Sequence, residues 1–154
     1  MSYAELQCTS NFSFLRGASH PEELAVQAKH LGLAALAVTD RNTLAGVVRA
    51  HGAAKDAELP FVVGARLDLD RLSLLAWPTT RAAYGRLSRL ITIGRRRAPK
   101  GECLLTLEDI AGLSAGLIAG VIPAAETTAA DLHPYRDLFG DRGYLLAELF
   151  RGPD

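Results

Sequence analysis

Residues 33–40 read LAALAVTD, six apolar residues that end in Thr39 and Asp40. A run this short, apolar on both faces, is the pattern of a parallel strand buried between two layers. The segments on either side extend that reading. Upstream, Ser19-His20-Pro21-Glu22 opens a helix, with Ser19 as N-cap, Pro21 in the first turn where its missing N–H is harmless, and Glu22 completing a capping box. Leu24, Ala25, Ala28 and Leu31 then share one face, and Gly32 ends the helix. Before it, residues 4–9 read as a strand and 10–17 as a loop. Downstream, the pattern predicts a helix over 43–57, a strand over 61–69 opened by Pro60, and a strand over 72–78. Only Asp70 and Arg71 separate the last two, so they are expected to be antiparallel. A long helix over 79–97, a short one over 106–113 behind a Thr106/Asp109 cap, a strand over 117–122, a helix over 125–139 containing Pro134, and a strand over 144–149 follow. Strands alternating with helices at this spacing mean an α/β fold with a mainly parallel sheet.

Composition narrows the function classes. The chain has 154 residues, the size of one domain or part of a larger one. Seventeen basic and seventeen acidic residues cancel, so no global field points to nucleic acid or a membrane surface. Cys8 and Cys103 lack metal or redox-motif spacing, which suits free thiols in a reducing, cytoplasmic compartment. The start MSYAELQC is unlike a secretory leader, and no apolar run approaches the ~20 residues needed to cross a bilayer, so no membrane partner is expected.

In folds of this class functional residues collect where strands end and loops begin, here at residues 10–17, 39–43 and 64–66. The first loop region reads Gln7-Cys8-Thr9-Ser10-Asn11-Phe12-Ser13-Phe14-Leu15-Arg16-Gly17, the second Ala37-Val38-Thr39-Asp40-Arg41-Asn42-Thr43-Leu44, the third Val63-Gly64-Ala65-Arg66. Together they resemble the PHP domain (polymerase and histidinol phosphatase) at the N-terminus of bacterial family C DNA polymerases. Its patterns are H-x-H-[ST]-x-x-S-x-x-D-G, A-[IL]-T-D-H-x-N-L and V-G-x-E. The serine and glycine frame is kept, while Gln7, Thr9, Arg16, Arg41 and Arg66 stand where the family has ligands, and only Asp40 remains. The phrases TSNFSFLRGASHPEEL, AVTDRNTLAGVVRAH and RRRAPKGECLLTLEDIAGL resemble the error-prone, damage-tolerant branch.

The resemblance implies a distorted (β/α) barrel. Barrels of this kind take ~250 residues to close, so residues 1–154 are expected to be the N-terminal part of a PHP domain, truncated before closure. A bare strand edge would leave it marginally stable alone. The family's pocket holds divalent ions that activate water against a phosphoester. Here a guanidinium ~4 Å from a divalent ion would be repelled by roughly 8 kcal/mol at an effective dielectric of ~20, before screening and side-chain movement reduce it. The expectation is a metal-free, non-catalytic module, a structural and interaction part of an error-prone polymerase for translesion synthesis and damage-induced mutagenesis. No cofactor is expected in this chain, and magnesium is expected in the absent polymerase domain. The implied partners are the remainder of the polymerase chain, DNA through it, and other mutagenesis or replication proteins. The alternative is a phosphoesterase or proofreading 3′–5′ exonuclease with a rearranged metal site. The arginines are expected to form a salt-bridged plug with Asp40, Glu5 and Asp68, with phosphate binding as the second option.

Other candidates carry less. His20, His30, His51 and His133 share no ligand spacing. Arg86, Arg89, Arg95, Arg96, Arg97 and Lys100 form a basic stretch that either complements the end of the long helix or contacts DNA or another domain. Neither a nucleotide-cradling glycine loop nor a serine–histidine arrangement is present. Trp77, closing an apolar strand, is expected in the core.

Overall fold

The computed structural model describes residues 3–148. Strands β1 (Ala4–Cys8), β2 (Ala35–Val38) and β3 (Phe61–Val63) form a parallel sheet in that order. Helices α1 (Pro21–His30) and α2 (Val47–Asp56) pack on it through small residues, with Ala25, Ala28, Ala50 and Ala54 buried against Leu36 and Val38. A second sheet runs β4 (Ala65–Asp68), β5 (Leu72–Pro78), β6 (Leu117–Pro123) and β7 (Gly143–Leu145). Its first two pairings are antiparallel and the third is parallel. Helices α3 (Arg81–Arg97), α4 (Leu107–Leu113) and α5 (Ala129–Phe139) enclose a larger core built on Leu67, Leu74, Leu87, Leu90, Ile110 and Leu117. The architecture is α/β as expected, with one parallel and one mixed sheet and no closed barrel among the described residues.

The strand expected over 61–69 is two strands, one in each sheet, broken at Gly64. A Cβ on Gly64 would lie 2.7 Å from the Thr39 methyl and 2.8 Å from Trp77 Cδ1, so only glycine lets the chain turn over the indole here. Trp77 is in the interior as read. It packs with Ala37, Leu75 and Ile122 between the sheets and donates its indole N–H to Leu6 O at 3.2 Å. The two sheets stay joined past the break by a parallel bridge between Arg41 and Arg66, where Arg66 N–H donates to Asp40 O at 3.1 Å and Asn42 N–H to Arg66 O at 2.7 Å.

Helix boundaries shift for identifiable reasons. The N-cap of α1 is His20 rather than Ser19, and the box is closed by Glu23, which accepts from His20 N–H at 2.7 Å. Ser19 belongs to the preceding loop, its carbonyl taken by Asn11 N–H. Helix α2 starts at Val47 rather than 43, because Asn42 sits at φ +52° with both its N–H and C=O engaged elsewhere. Helix α5 starts at Ala129 rather than 125, behind a Thr128/Asp131 capping box, and accommodates Pro134 as expected. The last strand, expected over 144–149, covers only Gly143–Leu145. Leu146 then turns into the interior beside Gly120 and Trp77, and residue 149 lies outside the described residues. No described helix is long and apolar enough to cross a membrane.

Candidate functional site

The C-terminal ends of β1 and β2 and the start of β4 converge on two connected arrangements. The first is a knot around Asp40, which is 2% exposed. Its Oδ1 accepts from Ser10 N–H at 2.8 Å and Ser13 Oγ at 2.7 Å, and its Oδ2 from Ser10 Oγ at 2.7 Å. Ser13 Oγ in turn accepts from Arg41 N–H at 2.9 Å. The loop closes with Arg16 and Gly17 N–H donating to Ser13 O. One carboxylate thus dictates the course of the whole 10–17 loop.

The second is a cavity of about 370 Å³ lined by Thr9, Arg16, Arg41, Arg66, Asp68, Asp70, Arg71, Ser73 and Glu148 among others. Arg66 is held on three sides: Nε to Asp68 Oδ1 at 3.3 Å, Nη1 to Glu148 Oε1 at 3.4 Å, and Nη2 to Ser73 Oγ at 3.0 Å. Ser73 Oγ in turn donates to Asp68 Oδ1 at 2.8 Å. Arg41 Nε pairs with the other oxygen of Asp68, and Gln7 Nε2 donates to Glu148.

Of the six pocket positions read from sequence, Thr9, Arg16, Arg41 and Arg66 line this cavity, Gln7 reaches it through Glu148, and Asp40 lies beneath it in the serine knot. The expected partners change accordingly. Asp68 pairs with the arginines as expected, whereas Asp40 is saturated by neutral donors. Glu5 accepts from Gln7 N–H and the Tyr3 hydroxyl instead. Glu148 and Ser73 were missed by sequence reasoning. A serine interrupting the apolar LSLLAWP strand and an acid after the last strand were the available signals.

The basic stretch divides as well. Arg86 donates to Ala115 O at 2.7 Å, Arg95 to Asn42 O at 2.9 Å, and Arg97 forms a two-pronged pair with Asp109 at 2.5 and 2.9 Å. These three are committed to contacts within the chain, although Arg95 and Arg97 are exposed, as are Arg89, Arg96 and Lys100. Arg97 with the Thr106 cap holds the Asp109 carboxyl well below the usual carboxylate range. None of the six lines the arginine cavity.

The donor set does not fit a divalent metal. Among the described residues no three His, Cys, Asp or Glu side chains gather at metal-holding distance, and the cavity's Asp68 and Glu148 are already answered by guanidinium groups. Burial, then the charges of Glu5 and Asp40, push the Cys8 thiol up to about 11.

Comparison with known proteins gives this geometry a context. The family model for the PHP domain matches residues 5–147. An error-prone DNA polymerase of Rhodopirellula baltica is 47% identical over 168 residues, covering 100% of this chain and 15% of the relative. One from Caulobacter vibrioides is 56% identical over 123 residues, covering 79% and 11%. The chain therefore spans less than a sixth of the length of these relatives. Among solved structures, one described as a metal-dependent phosphoesterase from Bifidobacterium adolescentis aligns with TM-score 0.67 at 14% identity, over 89% of this chain and 74% of that one. An amidohydrolase from Chromobacterium violaceum, with bound sulfate and no metal, aligns with TM-score 0.63 at 17% identity, over 93% and 76%. At such identities the two structures speak for the fold alone. The chain belongs to the PHP domain family, in the form found in error-prone DNA polymerases.

Proposed function

We propose that this chain is a metal-free, non-catalytic PHP module that serves as a structural and interaction part of an error-prone DNA polymerase acting in translesion synthesis. The supporting observation is the pairing of Arg41 and Arg66 with Asp68 and Glu148, which sets guanidinium groups against two of the cavity's three carboxylates. On this reading magnesium and nucleotide chemistry belong to the polymerase body, and so do the contacts to DNA and to other replication or mutagenesis proteins. The module contributes a pocket rigidified by ion pairs, where a hydrolytic site would need mobile water and an open coordination position.

The test is a hydrolysis assay on the polymerase carrying this module, using an aryl phosphate and the 3′ end of a primer strand, with manganese or zinc added. The expected result is turnover no faster than the metal-only blank. Metal-dependent hydrolysis that disappears in Asp68→Asn, with the thermal transition preserved, would overturn the reading.

A further inference from the structure

The ion pairs do not use up the cavity's guanidinium donors. Four arginines (Arg16, Arg41, Arg66, Arg71) and three carboxylates (Asp68, Asp70, Glu148) line it, and with Arg71 paired to Asp131 the remaining charges balance three against three. Arg66 is bonded at all three guanidinium nitrogens, and Arg71 leans away to Asp131 at 3.4 Å. Arg41 engages Asp68 through Nε alone, and among the described residues neither of its terminal nitrogens has a partner. Arg16 forms no ion pair among the described residues. The uncommitted donors are therefore the outer edge of Arg41 and the whole fork of Arg16, on two loops that line one cavity with the Thr9 hydroxyl. Both loops are fixed by the same carboxylate, because Asp40 bonds Ser10 and Ser13, and Ser13 bonds the backbone of Arg41.

We propose that this cavity binds a phosphate-class oxyanion through Arg16, the outer edge of Arg41 and Thr9, with Arg66 as its fixed wall. Planar guanidinium forks match phosphate oxygens two at a time, and pre-placing them on a pinned loop lowers the cost of ordering them on binding. Asp68 sets the affinity, since it stands as a competing anion on the far side of Arg41. The site rests on the metal-free reading above, because a bound divalent ion would demand the opposite charge in the same space. The phosphate has two sources, a free phosphate or pyrophosphate, or the backbone of a single strand.

Thermal unfolding of the chain separates these, with inorganic phosphate, pyrophosphate, or a short oligonucleotide lacking terminal phosphates added against chloride at equal ionic strength. At a concentration tenfold above the dissociation constant the midpoint should rise by about 3–5 °C. Arg16→Gln, on an exposed turn, and Arg41→Gln should each weaken binding at least tenfold, while Arg89→Gln on the remote helix α3 should leave it unchanged. A shift from the oligonucleotide assigns the backbone as ligand; shifts confined to phosphate and pyrophosphate assign the free anion. No shift up to 20-fold above millimolar concentration, or equal shifts in Arg16→Gln and Arg89→Gln, would overturn the site. A parallel manganese and zinc titration keeps the two claims apart: a metal-induced rise overturns the metal-free reading, whereas inert metals with an absent phosphate shift overturn only the anion site.

Discussion

Asp40 and Asp68 stand on neighbouring elements, and their surroundings differ in kind. Asp40 is 2% exposed and receives its hydrogen bonds from a backbone N–H and two serine hydroxyls of a single loop. Asp68, its side chain 18% exposed, is answered by two guanidinium groups and the Ser73 hydroxyl, drawn from two strands and a loop. Neutral donors around a buried carboxylate impose a shape, because each hydroxyl has one productive direction. Cations around a partly exposed carboxylate mostly cancel charge, and water screens part of what they gain. Removing the first should damage the fold; removing the second should change what the cavity attracts.

The largest effect is therefore expected at Asp40. Asp40→Ala strands the Ser10 and Ser13 donors inside the protein and should cost about 3–5 kcal/mol, read as a lowered denaturation midpoint with an unchanged slope. A loss below about 1 kcal/mol would dissolve the distinction drawn here. Asp68→Asn comes next. Its stability change should stay near 1 kcal/mol, since the pairs it breaks are solvent-accessible. Phosphate affinity should rise several-fold as Arg41 loses its competitor, and a fall in affinity would mean that Asp68 positions Arg41 rather than competing for it. The smallest effect serves as an outside reference, the Arg97–Asp109 pair on the exposed face. The carboxyl of Asp109 titrates below its unfolded value in the folded chain, so its contribution is complete above about pH 4 and fades as the pH drops further. The difference in melting temperature between the native chain and Arg97→Gln should accordingly be present at pH 7 and shrink towards pH 2.5. A difference that grew on acidification would contradict the assigned pairing.

Much of this was legible in the sequence, and the failures have a common cause. The LAALAVTD run, the Thr106/Asp109 cap and the buried Trp77 depend on local periodicity and local hydrogen bonding, and those signals survive without the fold. The break at Gly64 was hidden because apolar, strand-forming residues continue on both sides of it; what bends the chain is an indole thirteen residues downstream. The basic stretch read as a complement to the helix end or a contact for DNA or another domain; the acceptors of Arg86, Arg95 and Arg97 at Ala115, Asn42 and Asp109 are contacts that no helical spacing reveals. Three pocket positions carrying arginine could be placed by motif, whereas Glu148 meets Gln7 and Arg66 only when the chain, having left β7 at the edge of the second sheet, comes back to β1 and β4.

The backbone bridge between Arg41 and Arg66 has a corollary for substitution. It seats two permanent cations side by side, one on the loop after β2 and one on β4, sharing one aspartate. Replacing either arginine alone leaves the other guanidinium bearing on the same carboxylate, so no lone substitution clears Asp68 of its cation. Freeing that aspartate takes two coordinated changes, one in each of the segments that the bridge joins.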